Sequence, residues 1–250
     1  MVNTTPFPIM DDESIIWRFM DFTKFVSLLE TNSLFFCRLD KLGDPFEGSI
    51  PTKTLQDFEK EYYRDKILQG KMGYEKMKEQ LQFSSTFREV SRKWFYVNCW
   101  HMNNYESAAM WGLYTRLDQA VAIRSTAKRF HDSLPHEFRG NKIFIEPVQY
   151  VDFENEMIPF DAFIKRRLLY KRKSFEHEQE IRAFFNINFK YDKPSEAGFF
   201  VKTKLGVLID SIYVGPGSPD WFLDLVQNVS KRYDFNSIPK RTSLDNKALY

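Results

Sequence analysis

From Ile181 to Phe189 the chain alternates strictly: Ile181, Ala183, Phe185, Ile187 and Phe189 occupy every second position. Apolar residues two apart would scatter around a helix but fall on one side of a strand, so residues 180–189 read as a strand with one buried face. The other face then carries Glu178, Glu180 and Arg182, in the order E-x-E-I-R. Two carboxylates and a guanidinium on one face of an aromatic-rich strand can hold hydroxyls and steady a developing positive charge. The same residues on a solvated face would form an ordinary ion-pair lattice. The rest of the chain has to decide between the two.

Taken in order, residues 1–12 read as a loose leader and residues 15–20 (I-I-W-R-F-M) as a short strand carrying Trp17 and Arg18. Asp21 is placed to cap a helix with Phe22, Phe25, Val26 and Leu29 on one stripe, broken by Thr31-Asn32-Ser33 before a second strand at 34–39. The loop D-K-L-G-D-P-F-E-G at 40–48 puts Asp44 and Glu47 just past a strand end, where functional groups are common. Residues 52–93 are charged and helical in texture, an insertion or lid over a sheet. The aromatic run 94–101 (W-F-Y-V-N-C-W-H) is a strand, and Asn103 or Asn104 can cap a helix bearing Ala108, Met110, Trp111 and Tyr114.

Another strand is expected at 120–123, with Ser125 or Thr126 capping the next helix. Residues 142–145 and 148–151 read as strands paired around Pro147, and 160–174 as a helix with a basic side, Lys165 to Lys173, read as a solvated face with phosphate attraction as the alternative. Further strands fall at 199–201 and 211–214, a helix at about 219–233, and a final strand within a tail that runs on to residue 250. These segments together imply one α+β domain: a mixed, mainly antiparallel β-sheet, open to a split, flanked by helices and carrying the helical insertion.

Composition narrows the function. Formal net charge is only +2, so no overall polycation points to nucleic acid or an anionic membrane. Cys37 and Cys99 are too few for a disulfide framework, no apolar run nears a membrane span, and no secretory signal opens the chain. A reduced, cytoplasmic protein with no membrane partner is the expectation. The 25 Phe, 12 Tyr and 5 Trp supply a large-residue core and candidate stacking surfaces; Trp17, Trp100 and Phe46 are assigned to the core. His101, His131, His136 and His177 form no metal-ligand spacing, so no metal is expected; Cys99 reads as a buried structural thiol. G-P-G-S-P at 215–219 matches no phosphate-binding fingerprint, and no G-x-S-x-G is present.

The joint order of I-W-R-F-M (16–20), D-P-F-E (44–47), C-W-H (99–101), M-W-x-x-Y (110–114), E-x-E-I-R (178–182) and I-Y-V-G-P (212–216) resembles a bacterial domain-of-unknown-function family across about residues 15–245. The chain also resembles, more loosely, ADP-ribosyltransferase-like enzymes, which open strand–helix–strand and carry a catalytic glutamate in a late E-x-E strand. That resemblance implies NAD as co-substrate and ADP-ribose transfer to a protein or nucleic-acid acceptor, in defence, toxin activity or regulation. It implies Glu180 as the catalytic carboxylate with Glu178 as partner, His101 or Ser125 as the middle-strand element, and Arg18 on the pyrophosphate or ribose. Trp111 or Tyr114 would stack on a ring, and Arg182 is counted with the nucleotide-binding residues. Two rivals are a non-catalytic nucleotide- or nucleic-acid-sensing module, and a nuclease or hydrolase using Asp44, Glu47, Glu178 and Glu180 around magnesium.

Overall fold

The strand expected at 180–189 lies against the aromatic strand 95–102, and the fold is built outward from that pair. The computed structural model describes residues 9–68, 70, 74–115, 119–159, 166–235 and 237–248. The chain opens with β1 (Ile15–Asp21), α1 (Phe22–Thr31) and β2 (Ser33–Arg38). Helices α2 (Thr52–Leu68) and α3 (Tyr74–Ser91) precede β3 (Phe95–Met102), α4 (Ala108–Tyr114), β4 (Ala120–Thr126) and α5 (Ala127–Ser133). A small hairpin, β5 (Glu137–Phe138) and β6 (Asn141–Lys142), leads to β7 (Phe144–Pro147), β8 (Gln149–Val151), β9 (Tyr170–Arg172) and β10 (Glu180–Asn186). The chain finishes with β11 (Gly198–Lys202), α6 (Leu205–Leu208), β12 (Ser211–Val214), α7 (Asp220–Arg232) and β13 (Lys240–Arg241). The main sheet runs β11-β2-β3-β1-β4-β12-β13, with β10 and then β7 also attached to β3. Its ladders are antiparallel except β12–β13, so the fold is α+β with a mixed, mainly antiparallel sheet flanked by helices.

The sheet divides at β3. One edge of β3 pairs with β10 from Phe95 to His101. The other edge is shared: β1 takes its C-terminal end (Trp17 opposite His101) and β2 its N-terminal end (Cys37 opposite Val97). Asn98, Cys99 and Trp100 have no ladder partner on that edge. Helix α1 separates β1 from β2 in sequence, and Asn32 in the left-handed region (φ 45°, ψ 45°) lets the chain leave that helix directly into β2. Period-two alternation then sorts the faces. Ile16, Met20, Phe36, Tyr96, Trp100, Ile181, Ala183 and Phe185 enter the main core beneath α1, α5, α6 and α7. Trp17, Phe19, Val97 and Phe184 face the opposite side.

Several expectations need correction. Strand β10 ends at Asn186; Ile187 is still buried and donates to the Trp94 carbonyl, but Phe189 lies in a turn, stacked on Trp94 at 4.9 Å. Glu178 is not on the strand. It ends a 3-10 turn, Lys173–Glu178, and Gln179 in the left-handed region (φ 41°, ψ 53°) redirects the chain into β10.

The helix expected at 160–174 has its first part outside the described residues, and the remainder is a 3-10 turn, β9 and a second 3-10 turn. Leu168, Leu169 and Tyr170 are consecutive buried residues, which no amphipathic helix with a solvated basic side permits. Strands 142–145 and 148–151 do not pair around Pro147. Pro147 stays in register with Ile181, and Val148 donates to the Glu180 carbonyl, so the chain runs on along β10 before β8 pairs with β9 in parallel. Ser107, not Asn103 or Asn104, caps α4, because Asn103 is still bonded to β1 through the Ile15 carbonyl. Strand β4 runs on through Ser125 to Thr126, and the final strand shrinks to Lys240–Arg241.

Candidate functional site

The split in the sheet is the mouth of the largest described cleft, about 780 Å³, within the range of roughly 300–1,000 Å³ usual for cofactor sites. Because β3 is unpaired at residues 98–100, the cleft passes through the sheet rather than lying on it. Arg18 from β1 and Asn98 from β3 stand on the main-core side. Cys99, His101, Glu178 and Glu180 stand on the other.

Asn98 stitches the split. Its side-chain oxygen accepts from Arg18 Nη1 and, at 2.8 Å, from Trp100 Nε1, while its Nδ2 donates to the Phe35 carbonyl of β2 at 2.9 Å. One amide thus joins both sides of the opening. Arg18 has no carboxylate partner among the described residues. Burial lowers its guanidinium to about 10, against a small opposing pull from Cys99. Its remaining contact is the Trp100 ring, 5.8 Å from Cζ. A half-buried cation without a counter-ion is a place for an anion.

His101 supplies a directed acceptor. Its Nδ1 lies 2.6 Å from the Glu178 carbonyl oxygen, which can only accept, so Nδ1 carries the proton. Nε2 is then a lone pair, and it is buried with no partner. Burial keeps the ring neutral by lowering its pKa, outweighing the Glu178 carbonyl and carboxylate that favour the charged form.

The acid end is a lattice of buried charges. Arg182, fully buried, binds Glu180 through Nε and Nη2 and Glu47 through Nη1 and Nη2, each at 2.8 Å, and also donates to the Leu168 carbonyl. Lys171 Nζ donates to Glu178, lies 3.2 Å from Glu180 and 3.4 Å from Glu47. Burial would raise Glu180, but Arg182 and then Lys171 overrule it and hold the carboxyl well below its usual range. Burial lowers Lys171, and Glu180 and Glu47 more than reverse that, so it stays protonated. Tyr114, exposed at the rim, is pushed far above its ordinary value by burial and then by the nearby Glu178 carboxylate. Burial and then Glu180 likewise raise the Cys99 thiol, leaving it unreactive.

Of the residues expected from sequence, Arg18, His101, Glu178, Glu180, Arg182 and Tyr114 reach this one cleft, as do Asp44 and Glu47. Asp44 is engaged separately, gripped by Arg172 at 2.8 and 3.2 Å. Two residues do not reach it. Trp111 is fully buried beneath β1, edge-on to Phe19 at 4.9 Å. Ser125 is fully buried and donates to the Leu208 carbonyl, behind β4. Phe46, expected in the core, is exposed, with the Arg172 guanidinium over its ring at 4.4 Å. Trp17 and Trp100 are buried, and each also edges the cleft.

Sequence reasoning missed Asn98 and Lys171. Asn98 had a signal, a lone amide inside the apolar run of β3. Lys171 had none, because it sits in a basic run whose inward turn only the fold creates.

Carboxylates of the 44–47 loop and of 178–180 do converge, as a magnesium site would require. The space between Glu47, Glu178 and Glu180 is filled by the Lys171 ammonium and the Arg182 guanidinium, and among the described residues no His/Cys/Asp/Glu cluster can hold a metal ion. No described helix is long and apolar enough to cross a membrane. A scan against protein-family models and searches of curated proteins and of solved structures return no match for this chain.

Proposed function

We propose that this chain is an ADP-ribosyltransferase-like enzyme that binds NAD in the split of its sheet and breaks the nicotinamide–ribose bond, passing ADP-ribose to a protein or nucleic-acid acceptor. The observation that carries this reading is the electrical asymmetry of one aromatic-walled cleft. Arg18 stands at one end as a cation without a counter-ion, while Glu47, Glu178 and Glu180 outnumber Lys171 and Arg182 by one charge at the other. NAD has the matching pattern: a pyrophosphate anion, then ribose hydroxyls, then a pyridinium cation. Arg18 would hold the pyrophosphate. His101 Nε2 would accept from a ribose hydroxyl, and the carboxylate end would face the positive charge.

The chemistry follows from that placement. When the C–N bond breaks, its electron pair leaves with nicotinamide, and the positive charge moves to the ribose as an oxocarbenium-like state. A fixed carboxylate in a water-poor cleft stabilises that charge more than bulk water would. Trp17, Trp100, Phe175 and Tyr114 offer the flat surfaces that a pyridinium and an adenine require.

Nicotinamide release from NAD by the purified protein tests the reading, with Arg18→Gln alongside. Losing a charge-assisted contact of about 1.5–3 kcal/mol should weaken NAD binding roughly 10- to 100-fold. Wild-type protein that neither releases nicotinamide nor binds NAD saturably would overturn the proposal. A second reading has one observation in its favour: both oxygens of Glu180 are already committed to Arg182. Saturable binding without release, with any acceptor offered, would favour that reading, a nucleotide-sensing module.

A further inference from the structure

We infer that Glu178, not Glu180, is the carboxylate that meets the substrate, and that Lys171 is the residue that positions it. The inference rests on the NAD reading above and deepens it, because an E-x-E strand by itself directs attention to its second glutamate.

The hydrogen bonds of the acid end form one line. It runs from Glu47 to Arg182, to Glu180, to Lys171 and to Glu178. Glu180 lies in the middle of that line. Both of its oxygens are bound by Arg182, one of them also by Lys171, and its backbone N–H is tied to the Tyr150 hydroxyl at 2.7 Å. Such a group is a counter-ion. Glu178 also lines the cleft, and its side chain is bound through a single oxygen, to Lys171.

The backbone explains the difference. Glu178 closes a 3-10 turn, and Gln179 is a non-glycine residue in the left-handed region, a costly conformation that persists where the surroundings impose it. Without that kink, both glutamates would sit on one strand face and face Arg182 together. With it, only Glu180 does. Glu178 also carries the carbonyl that fixes the His101 proton on Nδ1, so the same residue sets the acceptor lone pair on Nε2.

During transfer, the ribose C–N bond breaks and its electron pair departs on nicotinamide. The acceptor's oxygen or nitrogen lone pair forms the new bond to C1′. The acceptor's proton passes to the Glu178 carboxylate and then to solvent. Lys171 remains an ammonium throughout and holds the Glu178 carboxylate in place.

Glu178→Gln and Glu180→Gln, in the full chain, separate the two roles through nicotinamide release, NAD binding and thermal unfolding. Glu178→Gln, whose amide oxygen can still accept from Lys171, should lower the unfolding temperature less than Glu180→Gln does and lose roughly 100-fold or more in kcat, as removal of a charge-stabilising or proton-accepting group does. Glu180→Gln should mainly lower the unfolding temperature. Should that variant fail to fold, Glu178→Asp gives an independent reading: it keeps a carboxylate, so part of the kcat lost in Glu178→Gln returns, a rescue that a merely structural glutamate does not give. Glu178→Gln with near wild-type kcat, or a stable and inactive Glu180→Gln, overturns the assignment while leaving the NAD reading standing. Wild-type protein inert towards NAD overturns both.

Discussion

Glu47→Ala tests whether the lattice around Arg182 holds the D-P-F-E loop to the sheet. Arg182 is fully buried and makes five hydrogen bonds, two to Glu180, two to Glu47 and one to the Leu168 carbonyl. Removing one partner of a buried ion pair typically costs ~3–5 kcal/mol, because the other charge stays desolvated. Here the guanidinium keeps Glu180, and the remaining carboxylates and cations balance in number, so the low end applies. At about 3 kcal/mol, and with each kcal/mol worth ~2–4 °C in a chain of this length, the unfolding temperature should fall by roughly 6–12 °C.

Arg182→Met should cost more than Glu47→Ala. It leaves Glu47, Glu178 and Glu180 facing Lys171 alone, two buried negative charges in excess. Differential scanning calorimetry on both variants measures the order directly, and a double-mutant cycle between positions 47 and 182 isolates the pairwise energy. A Glu47→Ala protein melting within about 2 °C of wild type, or an Arg182→Met protein more stable than Glu47→Ala, would refute the lattice as a structural element.

Two further consequences can be measured on the same protein. Because Arg182 and Lys171 overcome burial and depress Glu180 from 4.5 to about 2, its ionised form adds stability that is complete above pH 4.5 and lost as pH falls towards 2; acid unfolding monitored by circular dichroism should show that slope, and Glu180→Gln should flatten it. Trp111→Ala should destabilise by about 3–5 kcal/mol through the cavity left beneath β1, whereas Trp111→Phe should leave NAD affinity unchanged; a weakened Kd in the Phe variant would return Trp111 to the binding surface.

The site was partly legible because several of its residues announce themselves by position. Arg18 is the one charge inside the apolar run 15–20, His101 stands near the end of an aromatic strand, and Glu180 and Arg182 alternate with the core residues of β10. Period two places such groups on a face before any tertiary contact is known. Lys171 gave no comparable sign. Its neighbours Arg172 and Lys173 are partly or largely exposed, and only the pairing of β9 with β8 turns the lysine inward. Trp111 and Ser125 were misdirected for the same reason: residue type suits both a ring stack and a core, and burial decides between them.

Sequence alone determined most of the local elements: strands β1 to β4, β10 and β12, the breaks at Thr31–Ser33 and at the D-P loop, the helical texture on either side of residue 70, and the α+β class they imply. These depend on side-chain periodicity and turn chemistry within a few residues of each other. Tertiary structure decided that β1 and β2 would share one edge of β3 and leave Asn98, Cys99 and Trp100 between them, so that a cleft passes through the sheet. It also decided that Glu47 and Glu180 are bound by Arg182 while Glu178 is bound by Lys171. Long-range pairing and the competition of three acids for two buried cations set both outcomes, and neither is encoded within any single stretch of the chain.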